Sequence, residues 1–157
     1  LAPRVRAIVD AGIPVMAHIG VLPQTAALET GYGKRRDADT LLADARAFVE
    51  AGAYSLLLEM VDDEVAARIT KDFAVPTVGI GAGPSCDGQV LVFHDVVGLS
   101  AGPRPKFVRR YADLESEATA AVARFFDNIR SGAFPSDAET YHMPEADAQE
   151  FLAERRV

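Results

Sequence analysis

The chain predicts an α/β fold built on a parallel sheet. Short apolar runs alternate with longer amphipathic stretches through the first hundred residues, the pattern of right-handed βαβ units. Two of those runs are entered through the same pair, Ala11-Gly12 and Ala51-Gly52, a shared signal for a helix that stops and a strand that starts. The composition is globular: 157 residues, 49% hydrophobic and 25% charged, enough for one domain with a sizeable core.

In chain order, Pro3 to Ala11 predicts a short helix. Val5, Ile8 and Val9 recur at helical spacing, and Pro3 suits a first turn. Gly12 ends it. Ile13 to Ile19 predicts a strand with Pro14 at its entry, where a lost amide donor matters least. Gly20 to Arg36 is a long loop rich in Gly, Thr and Pro, and loops of that length in a compact domain are usually functional or mobile. Asp37 or Asp39 caps a strong helix whose apolar face is Leu41, Leu42, Ala45, Phe48 and Val49.

The next run, Tyr54 to Val61, reads as a strand covered on both faces, with one acid, Glu59, at its far end. Asp62 and Asp63 start a helix to Phe73. Val75 to Ile80 is a third strand, again with a proline at its entry. A glycine-rich loop, Gly81 to Gly88, leads to a fourth short strand, Gln89 to Phe93, with His94-Asp95 at its end. Beyond Leu99 the alternation stops. Asp113 to Ile129 is the longest helix, closed by Ser131-Gly132, and Pro144 opens a short charged helix to Arg155.

Charge and cysteine usage narrow the function. The net charge of −7 disfavours nucleic acid, which needs a basic face. Lys34-Arg35-Arg36 is followed at once by Asp37 and Asp39, and reads as a solvated loop or an anion site. The single cysteine, Cys86, allows no internal disulfide and fits a reducing compartment. No signal peptide pattern and no apolar run long enough to span a membrane is present, so a soluble cytoplasmic protein is expected.

In parallel α/β folds, chemistry collects at the carboxyl ends of strands. His18, Glu59 and His94 are predicted to stand there. Glu59 is the candidate general base, since partial burial favours a proton acceptor working near neutrality; its structural alternative is a strand end already in solvent. His18 is either a hydrogen-bonded core histidine or a ligand or substrate contact. His94-Asp95 is either a helix start or part of a site. Gly79-Ile80-Gly81-Ala82-Gly83 lacks the third glycine and the acidic residue of a dinucleotide fingerprint, so glycine there lets a backbone approach a ligand or bend tightly. Asp87 has no second carboxylate at ligand spacing. Cys86 has no base beside it.

Several segments together resemble ketopantoate hydroxymethyltransferase (3-methyl-2-oxobutanoate hydroxymethyltransferase). They are Ala11 to Gly20, Leu22-Pro23-Gln24-Thr25, Leu58-Glu59-Met60-Val61 and Pro76 to Gly83. Cys86 to Val92 with His94-Asp95 fits too, as do Pro105 to Val108 and Tyr111 to Leu114. The matches run in order from about residue 4 to 135. The resemblance implies a (β/α)8 TIM barrel, of which this chain matches the second half, strands five to eight, with extra C-terminal helices. Residues 1–135 would form that half and 136–157 a peripheral tail.

The resemblance also implies the reaction. A one-carbon unit passes from the co-substrate 5,10-methylenetetrahydrofolate to the keto acid 3-methyl-2-oxobutanoate, giving ketopantoate for pantothenate and coenzyme A synthesis, with magnesium (Mg2+) stabilising the enolate. Glu59 would be the proton acceptor and His18 a substrate-pocket residue. The family's metal-binding carboxylates and its substrate-binding serine and lysine lie in strands one to four, so no metal ligand is expected in this chain. Glu29 to Arg36 departs from the family's usual loop. Three readings follow. The chain works with a complementary N-terminal half; or it is an inactive half-barrel that binds a partner or self-associates; or it is a related keto-acid lyase-type barrel. Open strand edges need pairing, which leads to the expectation of a homo-oligomer.

Overall fold

The computed structural model describes residues 1–22 and 37–153. Most of the expected Gly20–Arg36 loop, with Pro23-Gln24-Thr25 and Lys34-Arg35-Arg36, lies outside them, as does the end of the helix expected to reach Arg155. The chain divides into two compact units, Leu1–Tyr111 and Ala112–Val157.

The first unit opens with helix α1 (Ala2–Asp10) and strand β1 (Met16–Gly20). Helix α2 (Ala38–Glu50), strand β2 (Ser55–Glu59), helix α3 (Asp63–Asp72) and strand β3 (Thr77–Ile80) follow. Strand β4 (Gly88–Gln89) and helix α4 (Phe93–Val97) complete it. The sheet has the order β1-β2-β3-β4, and every neighbouring pair is parallel. The predicted α/β alternation is therefore present. The two Ala-Gly pairs do the same work. Gly12 N–H bonds Val9 O at 2.8 Å and Ile13 N–H bonds Ile8 O at 3.2 Å; at the end of α2, Gly52 bonds Val49 O at 2.9 Å and Ala53 bonds Phe48 O at 3.0 Å. Both are Schellman closures with a left-handed glycine.

The sheet is not covered equally on its two sides, which corrects the expectation that β2 is buried on both. Alternation along the strands sends Ala17, Ile19, Leu56 and Leu58 to one face, where they join Leu41, Ala45 and Phe48 of α2 and Ala66 and Ile69 of α3 in one core. Leu56 and Leu58 are 0% exposed, and each contributes roughly 1.5–3 kcal/mol by burial. Met16, His18, Leu57, Glu59, Val78 and Ile80 alternate onto the other face, where they are half-buried or exposed. Three leucines in a row, Leu56 to Leu58, satisfy the sequence pattern for two covered faces; only the first and third are fully enclosed.

Beneath β3, a polar network holds the loop to β4. Thr77 is fully buried, and Asp87 accepts its backbone N–H at 2.8 Å and its hydroxyl at 3.1 Å. Thr70 Oγ1 lies 2.8 Å from Thr77 Oγ1. Buried polar atoms satisfied in this way stabilise a single loop path.

The fourth strand departs from expectation. It begins at Gly88 and ends at Gln89, with one more ladder bond from Val90 N–H to Gly79 O at 3.0 Å. Val90, Val92 and Phe93 are exposed. With no layer to bury that apolar run, Val92 becomes a helix N-cap and Phe93–Val97 coils into the five-residue α4.

In the second unit, helix α5 (Leu114–Ser131) ends at Gly132. Its apolar side, Val122, Phe125, Phe126 and Ile129, is 45–53% exposed. Phe125 packs edge-on to Phe134, with ring centroids 5.3 Å apart. A 3₁₀ turn (Asp137–Glu139) follows, closed by a Ser136/Glu139 capping box, whose hydroxyl and amide hold the Glu139 carboxyl below its ordinary range. Helix α6 (Glu145–Ala153) is the last described element.

Candidate active site

Glu59 is the last residue of β2 and His18 stands two residues before the end of β1. The parallel register pairs His18 with Leu57 and Gly20 with Glu59. His18 and Glu59 are thus diagonal neighbours on the half-covered face, a separation that long side chains span. Their tips meet: His18 Nε2 lies 3.1 Å from Glu59 Oε2. The two side chains keep 26% and 18% exposure. With Glu59 ionised, the Nε2–H tautomer donates to the carboxylate.

The pair stands in an open cleft of about 420 Å³, whose remaining wall includes Val15, Met16, Leu22 and Leu57. Chemically this is a carboxylate on a mostly apolar floor, with one oxygen engaged by an imidazole and an approach route for a small molecule. That combination suits proton abstraction. A second cleft, of about 480 Å³, lies along the same rim, where Met60, Val61 and Asp63 face Gly81, Lys106 and Phe107.

The sequence matches the family ketopantoate hydroxymethyltransferase over residues 1–137. The chain belongs to the ketopantoate hydroxymethyltransferase family. It is 50% identical over 152 residues to the 3-methyl-2-oxobutanoate hydroxymethyltransferase of Cenarchaeum symbiosum, covering 94% of this chain and 58% of that protein. The Koribacter versatilis enzyme of the same name is 50% identical over 141 residues, 87% of this chain and 48% of its own length. That of Moorella thermoacetica is 48% identical over 145 residues, 90% and 54% respectively. The chain spans about half the length of the curated relatives it matches.

Two of the three predicted rim residues come together, and the third does not. His94 lies in the first turn of α4 instead of at a strand end, exposed, its ring edge-on to Phe93 at 5.9 Å. Its neighbour Asp95 accepts the Ser100 hydroxyl. The helix-start alternative is the observed one, because the strand expected to carry His94 stops at Gln89.

The glycine-rich loop approaches the protein's own side chains: a Cβ at Gly81 would stand 2.7 Å from the Phe107 ring, and one at Gly83 2.2 Å from Asp63 Oδ1. Burial raises the Cys86 thiol pKa, against the lowering effect of its bonds to Thr77 and Thr70, and no nucleophile is made there. Asp62 is the N-cap of α3 and Asp63 its first residue, as their helix-start reading requires.

Magnesium belongs to the chemistry the family resemblance implies. Among the described residues, no group of three or more His, Cys, Asp or Glu side chains is placed to hold a metal ion. The Glu59 carboxylate is engaged by imidazole, Asp87 by Thr77 and Asp95 by Ser100. These residues alone do not fit a magnesium site. None of the described helices is long and apolar enough to cross a membrane.

Sequence reasoning missed the residues around Glu59 that shape its backbone. Met60 has a left-handed φ of 53° and Gly20 a φ of 106°. A glycine closing an apolar strand was a visible signal for the second. A methionine carries no signal of a left-handed conformation.

Proposed function

We propose that this chain supplies the proton-accepting part of a 3-methyl-2-oxobutanoate hydroxymethyltransferase. In this reading the four parallel strands are the second half of a (β/α)8 barrel, and the half-covered sheet face is its interior. The keto acid lies in the cleft along β1, against the His18–Glu59 pair. The bond from C3 to hydrogen breaks, Glu59 takes the proton, and the electron pair moves into the enolate. The enolate carbon then bonds to the one-carbon unit of 5,10-methylenetetrahydrofolate, that unit's bonds to the folate nitrogens break, and water supplies the hydroxyl, so that ketopantoate and tetrahydrofolate leave. His18 holds Oε2 and leaves Oε1 as the oxygen for the incoming proton. The observation that carries the reading is the His18–Glu59 contact at 3.1 Å in a cleft that runs along β1. The names of the relatives at about half identity support the same substrate.

The remaining part of the site, with any magnesium ligands, belongs in this reading to residues beyond the described ones, in a complementary N-terminal half. The setting is cytoplasmic. The test is hydrogen–deuterium exchange at C3 of 3-methyl-2-oxobutanoate, followed by NMR. The 157-residue chain alone is expected to show none. Addition of an N-terminal half from a full-length relative is expected to start exchange, and Glu59→Gln to stop it. Exchange that continues undiminished in the Glu59→Gln complex refutes the assignment.

A second reading is favoured by the exposed apolar side of α5 and the open outer strands: an inactive half-barrel that self-associates. Sedimentation separates the two. Self-association that persists when the N-terminal half is added, with no exchange, supports the second reading; a mixed complex with exchange supports the first.

A further inference from the structure

The peptide that follows Glu59 is bonded on both sides. Glu59 O accepts the N–H of Val21 at 3.0 Å, and Met60 N–H donates to Ile80 O at 2.9 Å. One peptide unit therefore ties the ends of β1, β2 and β3 together. This arrangement needs two unusual backbones. Gly20 pairs with Glu59 in the ladder at φ 106°, and a Cβ there would lie 2.1 Å from Glu59 O and 3.0 Å from Val61 Cγ2. Any side chain would push the Glu59 carbonyl away from Val21. Met60 then turns left-handed at φ 53°, the only non-glycine with positive φ among the described residues. That turn ends the strand directly after the carboxylate and lets the chain reach the N-cap of α3 at Asp62 two residues later. Left-handed residues without a glycine's freedom persist only where their surroundings hold them, and they gather at functional sites.

We propose that Gly20 and Met60 are positioning residues for Glu59: their left-handed backbones lock the Glu59–Met60 peptide, and that lock aims the carboxylate at His18 and the cleft. The inference rests on the reading of Glu59 as proton acceptor, but its direct readout does not need the reaction. A carboxylate fixed at one end by backbone and at the other by imidazole loses little orientation when substrate arrives. A strand that simply ran on past Glu59 would leave the peptide free to tilt.

Nitrogen NMR of the His18 imidazole in the 157-residue chain tests this, because the Nε2 resonance reports the bond to Glu59. Met60→Asn and Met60→Gly accept a left-handed φ and are expected to keep the wild-type Nε2 shift. Met60→Ile, β-branched and strained at that φ, is expected to lose it while the far-ultraviolet circular dichroism stays the same. Gly20→Ala is expected to lose it too; should that variant not fold, the Met60 series decides. In a complex that exchanges C3 hydrogen, Met60→Ile should slow exchange by about 100-fold with little change in KM, the scale of a misplacement near 1 Å, and Met60→Asn should restore it. An Nε2 shift in Met60→Ile identical to that in Met60→Asn overturns the proposal. If the Nε2 pattern holds while Glu59→Gln leaves exchange intact, the proton-acceptor reading fails and the backbone lock stands.

Discussion

His18 and Glu59 meet at 3.1 Å across two parallel strands although 41 residues separate them in sequence. Neither element fixes the contact alone. It follows from the β1–β2 register, which sets Gly20 beside Glu59 and so leaves His18 diagonal to it. A slip of one residue in either strand would turn one partner into the core.

Glu59→Gln should keep the contact with His18 through its amide and remove the proton acceptor. C3 exchange by the assembled enzyme should fall about 10²–10⁴-fold, the usual weight of a general base. The melting temperature should barely move, since the side chain stands outside the core. His18→Ala, by contrast, should reduce exchange less than Glu59→Gln does, because the carboxylate remains. Side-by-side exchange rates check the order.

Much of this site was legible in the sequence. An acid ending an apolar strand and a histidine ending another mark one rim in any parallel sheet, and β1, β2 and β3 form close to where alternation placed them. The failures share a cause. His94 reads as a strand-end residue because Gln89 to Phe93 is apolar enough for a strand. Whether such a run is buried depends on the layer above it, which local pattern does not contain. Leu57 reads the same as Leu56 and Leu58 in sequence, yet only the latter two face α2 and α3. The backbone at Met60 left no trace in residue type.

Leu58→Ala should cost about 2–5 kcal/mol, the range for emptying a filled core position. Leu57→Ala should cost distinctly less, because that side chain borders an open cleft. Urea unfolding of both variants measures the difference, and equal losses would contradict the two-faced sheet.

Thr77→Val keeps the shape of the side chain and removes its hydroxyl. Asp87 then loses one of its two Thr77 donors, and Thr70 loses its partner. A loss of about 1–3 kcal/mol is expected, the cost of leaving buried polar groups unsatisfied. Chemical denaturation checks it. Proteolysis within Gly81 to Gly88 should quicken in parallel.

Cys86 should alkylate slowly at neutral pH, because burial keeps the thiol protonated above its ordinary range. The sign for stability follows from the same shift. The folded state holds its proton where the unfolded state has lost it, so Cys86 contributes fully at pH values below the unfolded thiol's pKa. That contribution fades as pH rises through the folded one. Iodoacetamide rates measured against pH, with Cys86→Ser as the stability control, check both statements. Fast alkylation of native protein at neutral pH would contradict them.

The unequal faces of the sheet also separate two kinds of evolutionary freedom. Substitutions among Ala17, Ile19, Leu56 and Leu58 are constrained by volume, since each displaces a neighbour in the packed layer. Met16, His18, Leu57 and Glu59 face a cleft, where packing constrains them less. A designer could rewrite that second set and leave the scaffold's thermal tolerance almost untouched.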